Sequence, residues 1–434
     1  MFKYPSDIVE IIKDLWQKNK IISEFIDELP EDKILKNLLE IAYHSSFMTE
    51  ESRRVRFSLI YCPKDSEKIK SNYETIVFTK SRDFSLTEIF RLAPATDPTS
   101  VLIGVESEKN DELKIWGLID IGSSWTHFIK GDGGSSFLPP SFFTILSSEP
   151  GNLTISCAGV TVLDLRQGKY FKPVSGIFNY GIIADFFKHS KEMLCKEIIT
   201  KIKSNDFEKD NSMIDDFKKN IQIFFERLVF DIKEKFQGGT IIVVPKDFTN
   251  DDIRLKERVL IKYPCHYDKV WKILVNKNFL NYKLFELVFT EEIEEKEAYS
   301  ELFHEYMFLN DKLKKIEQEL SDAIKFLSSL SEVDGAVIIT ENLKLLGFGC
   351  EIIVKTNIPD LIKIANDCDG NLGSYISIDS YGTRHRAAFR FCYSYENSLA
   401  FVVSKDGSLR AVKRNQNDII LWQDIGLFSD IQLK

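Results

Sequence analysis

Two short segments in the last quarter of the chain carry the residue types that a phosphate site requires. One is Asp334, directly before an apolar run, and the other is the heptapeptide GTRHRAA at residues 382–388. Arg384 and Arg386 offer planar donor groups that match phosphate oxygens, and His385 can donate to a phosphate or pass a proton near neutral pH. The Asp334 carboxylate is a ligand for Mg²⁺ or Mn²⁺ held against a triphosphate, or a base for a ribose hydroxyl.

The triplet Asp334-Gly335-Ala336, followed later by GTRHRAA, resembles the hallmark motifs of the diadenylate cyclases. That family includes the DNA integrity scanning protein and the membrane-associated cyclic di-AMP synthases. The resemblance implies that two ATP molecules condense into cyclic di-AMP, a second messenger, with loss of pyrophosphate and with Mg²⁺ or Mn²⁺ as cofactor. It also implies that each protomer holds one ATP and that two catalytic domains meet face to face.

The resemblance gives a role to each matching position. It implies that Asp334 binds the metal and activates the 3′-hydroxyl, whereas spacing alone would favour a turn or cap aspartate. His385 is a second candidate catalytic residue, because it could assist the leaving pyrophosphate. The residues expected to contact ATP are Gly335, Ala336, Gly382, Thr383, Arg384, His385, Arg386, Ser404 and Lys405. Without the flanking Gly-Thr and Ala-Ala pairs, the two arginines would be read as partners in surface salt bridges.

One position departs from the pattern of many relatives, in which glutamates follow the serine that corresponds to Ser404. Here Lys405 and Asp406 follow it. Lys405 is an alternative contact for a γ-phosphate, and the change predicts weaker metal binding or a lower rate.

Hydrophobic periodicity predicts the elements that hold these side chains. An acidic side chain at the mouth of a buried strand requires a partner, because burial of an unpaired carboxylate is costly. GTRHRAA is expected to open a helix whose free N–H groups face the same phosphates. The other expected elements of this region are strands at 337–339, 345–354 and 399–404, a short helix at 358–365, a plain loop rather than a calcium loop at 366–373, and a closing segment at 412–422.

A long amphipathic helix is predicted upstream, from about residue 300 to residue 330. Its apolar residues step by four and three from Leu302 to Leu320, as in a heptad pattern. Such a seam is typical either of a core helix packed on the catalytic sheet or of a signalling stalk that pairs with a second copy. Residues 250–300 are polar and mixed, and their acidic run at 291–297 indicates a solvated helix face.

The N-terminal half reads as an α+β domain. Two helices are expected within the first ~45 residues. The predicted strands lie at 55–61, 75–78, 100–103, 115–119, 153–156 and 160–163. The segment 131–136 lacks the Lys-Ser/Thr ending of a phosphate loop and predicts a turn. Helices are expected between 183 and 236, and the buried strand at 239–244 would complete the N-terminal sheet. The Pro150-Gly151 turn, the strand that begins at Gly238-Gly239-Thr240 and the segment 345–349 resemble features of one subgroup of diadenylate cyclases, which carries an N-terminal sensor domain. The ligand of such a domain does not follow from the sequence.

The expected fold is therefore α/β, with a C-terminal mixed-sheet domain similar to the diadenylate cyclases and surrounded by helices. An α+β domain and a long helix precede it. The expected division is 1–250 for the sensor domain, 251–299 for a linker region and 300–434 for the catalytic domain.

Composition excludes several other classes. The net charge of −9 argues against broad nucleic-acid binding, and therefore against a DNA-scanning protein. No stretch approaches the ~20 apolar residues of a membrane span, and no secretory signal pattern is visible. Seven cysteines without a C-x-x-C pair predict reduced thiols in a cytoplasmic protein. The predicted function is a regulated diadenylate cyclase; the alternative is a catalytically weak or inactive module that binds ATP or cyclic di-AMP.

Overall fold

The computed structural model describes residues 3–22, 26–50, 53–98, 100–122, 140–158, 160–202, 211–235, 238–289, 296–355, 357–404 and 408–427. The predicted turn at 131–136 and most of the acidic run at 291–297 lie outside these residues. The chain forms two compact units: one contains most of the chain up to Pro173, and the other runs from Val174 to Ile425. They are called here the N-terminal unit and the C-terminal unit.

The N-terminal unit is a sheet with helices packed on it. Its helices are α1 (Val9–Ile22), α2 (Asp32–Ser45), α3 (Glu67–Lys70) and α4 (Leu86–Leu92). Its strands are β1 (Thr49–Glu50), β2 (Arg53–Arg54), β3 (Phe57–Tyr61), β4 (Glu74–Asp83), β5 (Val101–Ser107), β6 (Leu113–Asp120), β7 (Phe143–Glu149), β8 (Asn152–Cys157), β9 (Val160–Arg166) and β10 (Lys169–Phe171). Eight of these strands form one sheet in the order β10-β9-β8-β7-β3-β5-β6-β4. The two helices expected near the start of the chain and the six strands predicted between 55 and 163 are confirmed, whereas β7 was not predicted.

The apolar faces of α1 and α2 explain why these helices lie on the sheet. Trp16 of α1 is fully buried, and its ring lies 5.7 Å from that of Phe143 on β7. Leu35 and Leu39 of α2 share the same core. Burial of such side chains contributes on the order of 2 kcal/mol each.

The C-terminal unit is a larger mixed sheet between helices. Its helices are α5 (Gly181–Ile202), α6 (Asn211–Glu234), α7 (Ile253–Lys256), α8 (Lys269–Phe289), α9 (Lys296–Leu330) and α10 (Thr383–Ser394). Its strands are β11 (Val174–Ser175), β12 (Gly239–Val244), β13 (Val259–Tyr267), β14 (Ala336–Thr340), β15 (Leu345–Ile352), β16 (Leu361–Ala365), β17 (Gly373–Ser377), β18 (Leu399–Val403), β19 (Leu409–Asn415) and β20 (Asp418–Trp422), with β21 (Ile425–Gly426) at its end. Nine of these strands form one sheet in the order β13-β15-β14-β12-β18-β19-β20-β16-β17.

Three adjacent strands, β14, β12 and β18, form the centre of this sheet, and every residue in them is buried. The β12–β14 pair is parallel, and the β12–β18 pair is antiparallel. On one face Ala400 and Val402 share a core with Phe389 of α10. On the other face Phe401 packs against Phe225 of α6, with ring centroids 6.0 Å apart. Coverage on both faces accounts for the continuous apolar runs of these strands.

The structure differs from the predicted division at 250 and 300. The strand β12 was expected in the N-terminal sheet, but it lies between β14 and β18 instead. The expected linker, 251–299, contains β13 and α8, and β13 pairs with β15 at the edge of the larger sheet. The expected helix at 358–365 is the strand β16, which is parallel to β20. Local periodicity cannot identify the partner of a strand, and short apolar runs fit helix and strand equally well.

The seam of α9 has two parts. Leu320, Ile324 and Leu327 are buried, as expected for a core helix. Nearer the start of the helix, Tyr306 is 36% exposed and Leu313 is only half-buried. Leu309 lies between these two residues and is buried. Burial of the seam is therefore continuous only in its second half, as the core-helix interpretation expects. Among the described helices, none combines the length and the apolar character that a membrane span needs.

The cysteines allow a direct check of the two cores. All seven are free thiols, and only Cys265 and Cys368 are partly exposed. Burial raises the pKa of Cys157, Cys350 and Cys392 to about 12. These thiols stay protonated at a pH of about 8, and the thiolate is the reactive form.

We expect a thiol reagent at a pH of about 8 to modify no more than Cys265 and Cys368 quickly in the native protein, and all seven cysteines in denaturant. A Cys265→Ser/Cys368→Ser variant is the control; rapid native labelling of that variant would contradict the packing.

Candidate functional site

The two segments with phosphate-site chemistry open into one cavity of about 770 Å³ in the C-terminal unit. Asp334 lies at the entrance to β14, and Gly382 is the N-cap of α10. The start of β14 and the first turn of α10 lie close together, because both elements share one core. The structure thus brings the aspartate and the arginine-histidine segment together.

The cavity contains most of the predicted site residues. Its predicted members are Asp334, Gly335, Ala336, Gly382, Thr383, Arg384, His385 and Ser404. Lys405 lies outside the described residues. Arg386 does not line the cavity, because side chains two positions apart on a helix point about 200° away from each other. Its guanidinium instead lies 4.0 Å from the carboxylate of Asp379.

Asp334 and Arg384 line the cavity as separate charges. Neither has a hydrogen-bond or ion-pair partner among the residues that the structure describes. Asp334 is exposed, so the expectation that its burial would require a partner is not met. The physical reason is that β14 begins only at Ala336, which leaves the carboxylate outside the core. Its availability to a ligand follows from its missing partners rather than from desolvation.

The two motif glycines, Gly335 and Gly382, differ in backbone conformation and in the space around them. Gly335 has φ +116°, and a Cβ there would lie 2.6 Å from the backbone N of Cys350. Only glycine fits this conformation without strain. Gly382 has an ordinary φ of −70°, and a Cβ there would meet no protein atom within 4 Å. The space beside Gly382 is therefore open toward the cavity.

The first turn of α10 adds a partial positive charge to the cavity. Gly382, Thr383 and Arg384 all line it, and no side chain caps the helix at Gly382. The free N–H groups of a helix N-terminus attract anions. This helix was expected from the sequence, and the structure confirms its start at Thr383.

Four polar or charged lining residues were missed in the sequence: Thr240, Lys262, Glu351 and Arg390. Arg390 was detectable, since it lies two helical turns after Thr383 and therefore on the same face of α10. Lys262 and Glu351 lie on the neighbouring strands β13 and β15, and only long-range pairing brings them to the site. Thr240 on β12 is 5% exposed, and its buried Oγ1 has no hydrogen-bond partner. A buried hydroxyl without a partner is costly, so a ligand atom there would stabilise the site.

A further guanidinium, that of Arg410, does not line the cavity but contacts two residues that do. Its Nη1 is 2.6 Å from Nε2 of His385 and donates to Oγ of Ser404 at 2.8 Å. His385 is buried, and its ring centroid lies 5.5 Å from that of Tyr381. Burial raises the pKa of Tyr381, whose hydroxyl accepts from Gln423 at 2.5 Å. Arg410 and Tyr381 thus both contact the imidazole of His385.

Asp334 and Glu351 are the carboxylates in the cavity lining. No group of three or more His, Cys, Asp or Glu side chains arranged for a metal occurs in the described part of the chain. Mg²⁺ commonly takes one or two carboxylates and completes its shell with water and substrate phosphates. The two carboxylates would therefore fit a hydrated divalent ion, and Asp334 is the residue that would hold it.

Comparison with known proteins identifies one region. Residues 24–120 match the family model of the probable sensor domain DACNV, a domain found in diadenylate cyclases. No curated protein matches the chain. The matched region lies in the N-terminal unit and does not include the cavity.

The two glycines make a matched pair for testing the geometry of the site. Gly335→Ala would force a strained backbone, at a cost of about 1–3 kcal/mol, and would collide with Cys350. We expect it to lower the melting temperature by several degrees. Gly382→Ala should lower the melting temperature much less, because its Cβ meets open space and only the weaker preference of alanine for the N-cap position is felt. Thermal unfolding followed by circular dichroism checks both, and equal destabilisation by the two variants would contradict the described backbone.

Proposed function

We propose that this protein is a diadenylate cyclase, which condenses two ATP molecules into cyclic di-AMP and releases pyrophosphate. The observation that carries the proposal is that Asp334 and Arg384 lie in one cavity without described protein partners. A carboxylate for the metal and the 3′-hydroxyl, and a guanidinium for the triphosphate, are thereby available to one nucleotide. The volume of the cavity is within the range of ~300–1,000 Å³ of small-molecule sites.

The basic side of the cavity would hold the triphosphate. Arg384, Arg390 and Lys262 supply positive charge, and the first turn of α10 supplies N–H donors. Thr383 can donate its hydroxyl to a phosphate oxygen. Phosphoryl transfer is catalysed mainly by charge neutralisation and alignment, so this set would hold the α-phosphate in line with an attacking hydroxyl.

The carboxylate of Asp334 would activate the attacking 3′-hydroxyl of the nucleotide. A Mg²⁺ or Mn²⁺ ion, when bound, lowers the cost of forming the 3′-oxyanion and neutralises phosphate charge. Asp334 would hold that ion, and its free carboxylate can alternatively accept the proton of the hydroxyl. Gly335 and Ala336 are small, so a purine or ribose can approach the backbone there.

The resemblance to the diadenylate cyclases implies one ATP in each cavity, so the attacking 3′-hydroxyl would come from a nucleotide held by a second protomer. The two cavities would meet face to face, and each nucleotide would attack the α-phosphorus of the other. This requirement makes the reaction sensitive to anything that separates the protomers. The DACNV region supports regulation of this kind, because the same sensor domain is found in diadenylate cyclases.

Product analysis tests the reaction directly. Purified full-length protein is incubated with ATP and Mg²⁺ or Mn²⁺, and cyclic di-AMP is sought by mass spectrometry. Asp334→Asn should reduce the rate at least about 100-fold, because the metal ligand is lost. Glu332→Gln is the matched control, since Glu332 pairs with Lys235 instead, at 2.8 Å. Absence of product from the wild-type protein with both metals would refute the cyclase.

Substitution of two arginines on α10 tests which face of this helix contacts the triphosphate. Arg384→Gln should weaken binding of 3′-deoxy-ATP, which lacks the attacking hydroxyl, by roughly 10- to 100-fold through loss of charged hydrogen bonds. Arg386→Gln should weaken it by less than about fivefold, because Arg386 makes only a long surface contact with Asp379. Isothermal titration calorimetry measures both. Equal losses would mean that the triphosphate lies along another face of α10.

A second function is favoured by Lys405 and Asp406, which follow Ser404 where many relatives carry glutamates. The chain would then bind ATP or cyclic di-AMP as a sensor module without turnover. Calorimetric binding of 3′-deoxy-ATP combined with no cyclic di-AMP from ATP would support this alternative. Formation of product that depends on Asp334 would exclude it.

A further inference from the structure

Arg410 contacts two residues that line the cavity, His385 and Ser404. Arg410 lies on β19 opposite Val402 of β18. Oγ of Ser404, just after the end of β18, accepts a hydrogen bond from its guanidinium. The antiparallel pairing of the two strands therefore brings a residue from further along the chain onto the same spot. The side chain does not line the cavity itself.

The contact with His385 fixes the positions of protons. A guanidinium has five N–H donors and no acceptor. At 2.6 Å from Nη1, Nε2 of His385 must therefore be the acceptor, and it carries no hydrogen. The ring proton of the neutral imidazole is then on Nδ1.

The contact with Ser404 has a similar consequence. Oγ of Ser404 accepts from Arg410 at 2.8 Å, and the separation between Oγ and Nε2 of His385 is longer, at 3.4 Å. Nε2 already accepts from Arg410. The hydroxyl hydrogen of Ser404 is therefore available to the cavity that Ser404 lines, where it can donate to an anion.

The charge of Arg410 has no carboxylate partner among the described residues. Its guanidinium carbon lies 5.9 Å from the centroid of the Tyr381 ring, a cation–π arrangement. Its Nε is buried and without a hydrogen bond. A partly buried cation without a counter-charge favours an anion nearby.

We propose that Arg410 is a positioning residue of the cavity: it holds His385 as the Nδ1-protonated tautomer and turns the Ser404 hydroxyl toward the bound anion. The part that concerns the anion rests on the proposed function, in which that anion is the triphosphate. His385 then has its Nε2 engaged by Arg410, and it supports the site through this contact rather than by donating from Nε2 to a phosphate.

Nuclear magnetic resonance can test the tautomer without any turnover. Long-range ¹H–¹⁵N correlation of ¹⁵N-labelled full-length protein resolves ring nitrogens, and the chain has 6 histidines; His385→Gln assigns the signal. The wild-type protein should show an Nδ1-protonated ring at position 385. Arg410→Met should shift the ring toward the Nε2-protonated form, and Arg410→Lys, which keeps a donor, should restore the wild-type pattern at least in part.

Arg414→Met is the matched control on the same strand, because Arg414 packs on Tyr393 with its guanidinium carbon 4.6 Å from the ring. It should leave the His385 signals unchanged. Unchanged melting temperatures would show that the variants fold. An Nε2-protonated ring in the wild-type protein, or no change in Arg410→Met, would overturn the proposal.

A binding measurement tests the second part. Arg410→Met should weaken binding of 3′-deoxy-ATP about tenfold, as for the loss of one charged hydrogen bond, and Arg414→Met should not. Unchanged affinity would overturn the role toward the anion. Failure to make cyclic di-AMP would refute the cyclase but leave the tautomer result valid, so the two failures are distinguishable.

Discussion

Opposite charges that share a cavity without neutralising each other are the constraint on which the candidate site depends. Asp334 and Arg384 would be expected to pair if their side chains could meet. The fold keeps them apart by attaching one to the entrance of β14 and the other to the first turn of α10. β14 is itself fully buried and α10 packs on the same core, so the backbone at both attachment points is held in place. A ligand with both a metal-bound and a phosphate-bearing end satisfies both charges at once.

Much of this arrangement is predictable from local sequence. The apolar run after Asp334 indicates β14, and the two alanines after Arg386 continue a helix that the structure confirms. Residue type alone predicts a phosphate contact for Arg386, whereas helical geometry places it beside Asp379 and away from the cavity. The periodicity of an α-helix is by itself enough to separate the direction of Arg384 from that of Arg386.

The rest depends on pairing between distant strands. Nothing in the residues of β12 says that its neighbours are β14 and β18, since its apolar run suits the centre of any sheet. The same holds for Lys262 and Glu351, which reach the cavity from β13 and β15. Arg410 is hidden for a related reason: its relation to Ser404 appears only when β18 and β19 are aligned. Residue type and spacing do not identify a residue that contacts the lining side chains without lining the cavity itself.

The place of β12 in the larger sheet has a practical consequence for dividing this protein into fragments. A polypeptide that began near residue 300 would contain both β14 and β18 but not the strand that lies between them. Each would then present an open hydrogen-bonding edge lined by apolar side chains, a template for aggregation. It would also lack β13, with Lys262, and the phenylalanines of α6 that cover Phe401. A fragment that keeps the complete sheet and the cavity must therefore begin ahead of α5, near Val174, even though the motifs themselves lie in the last quarter of the chain.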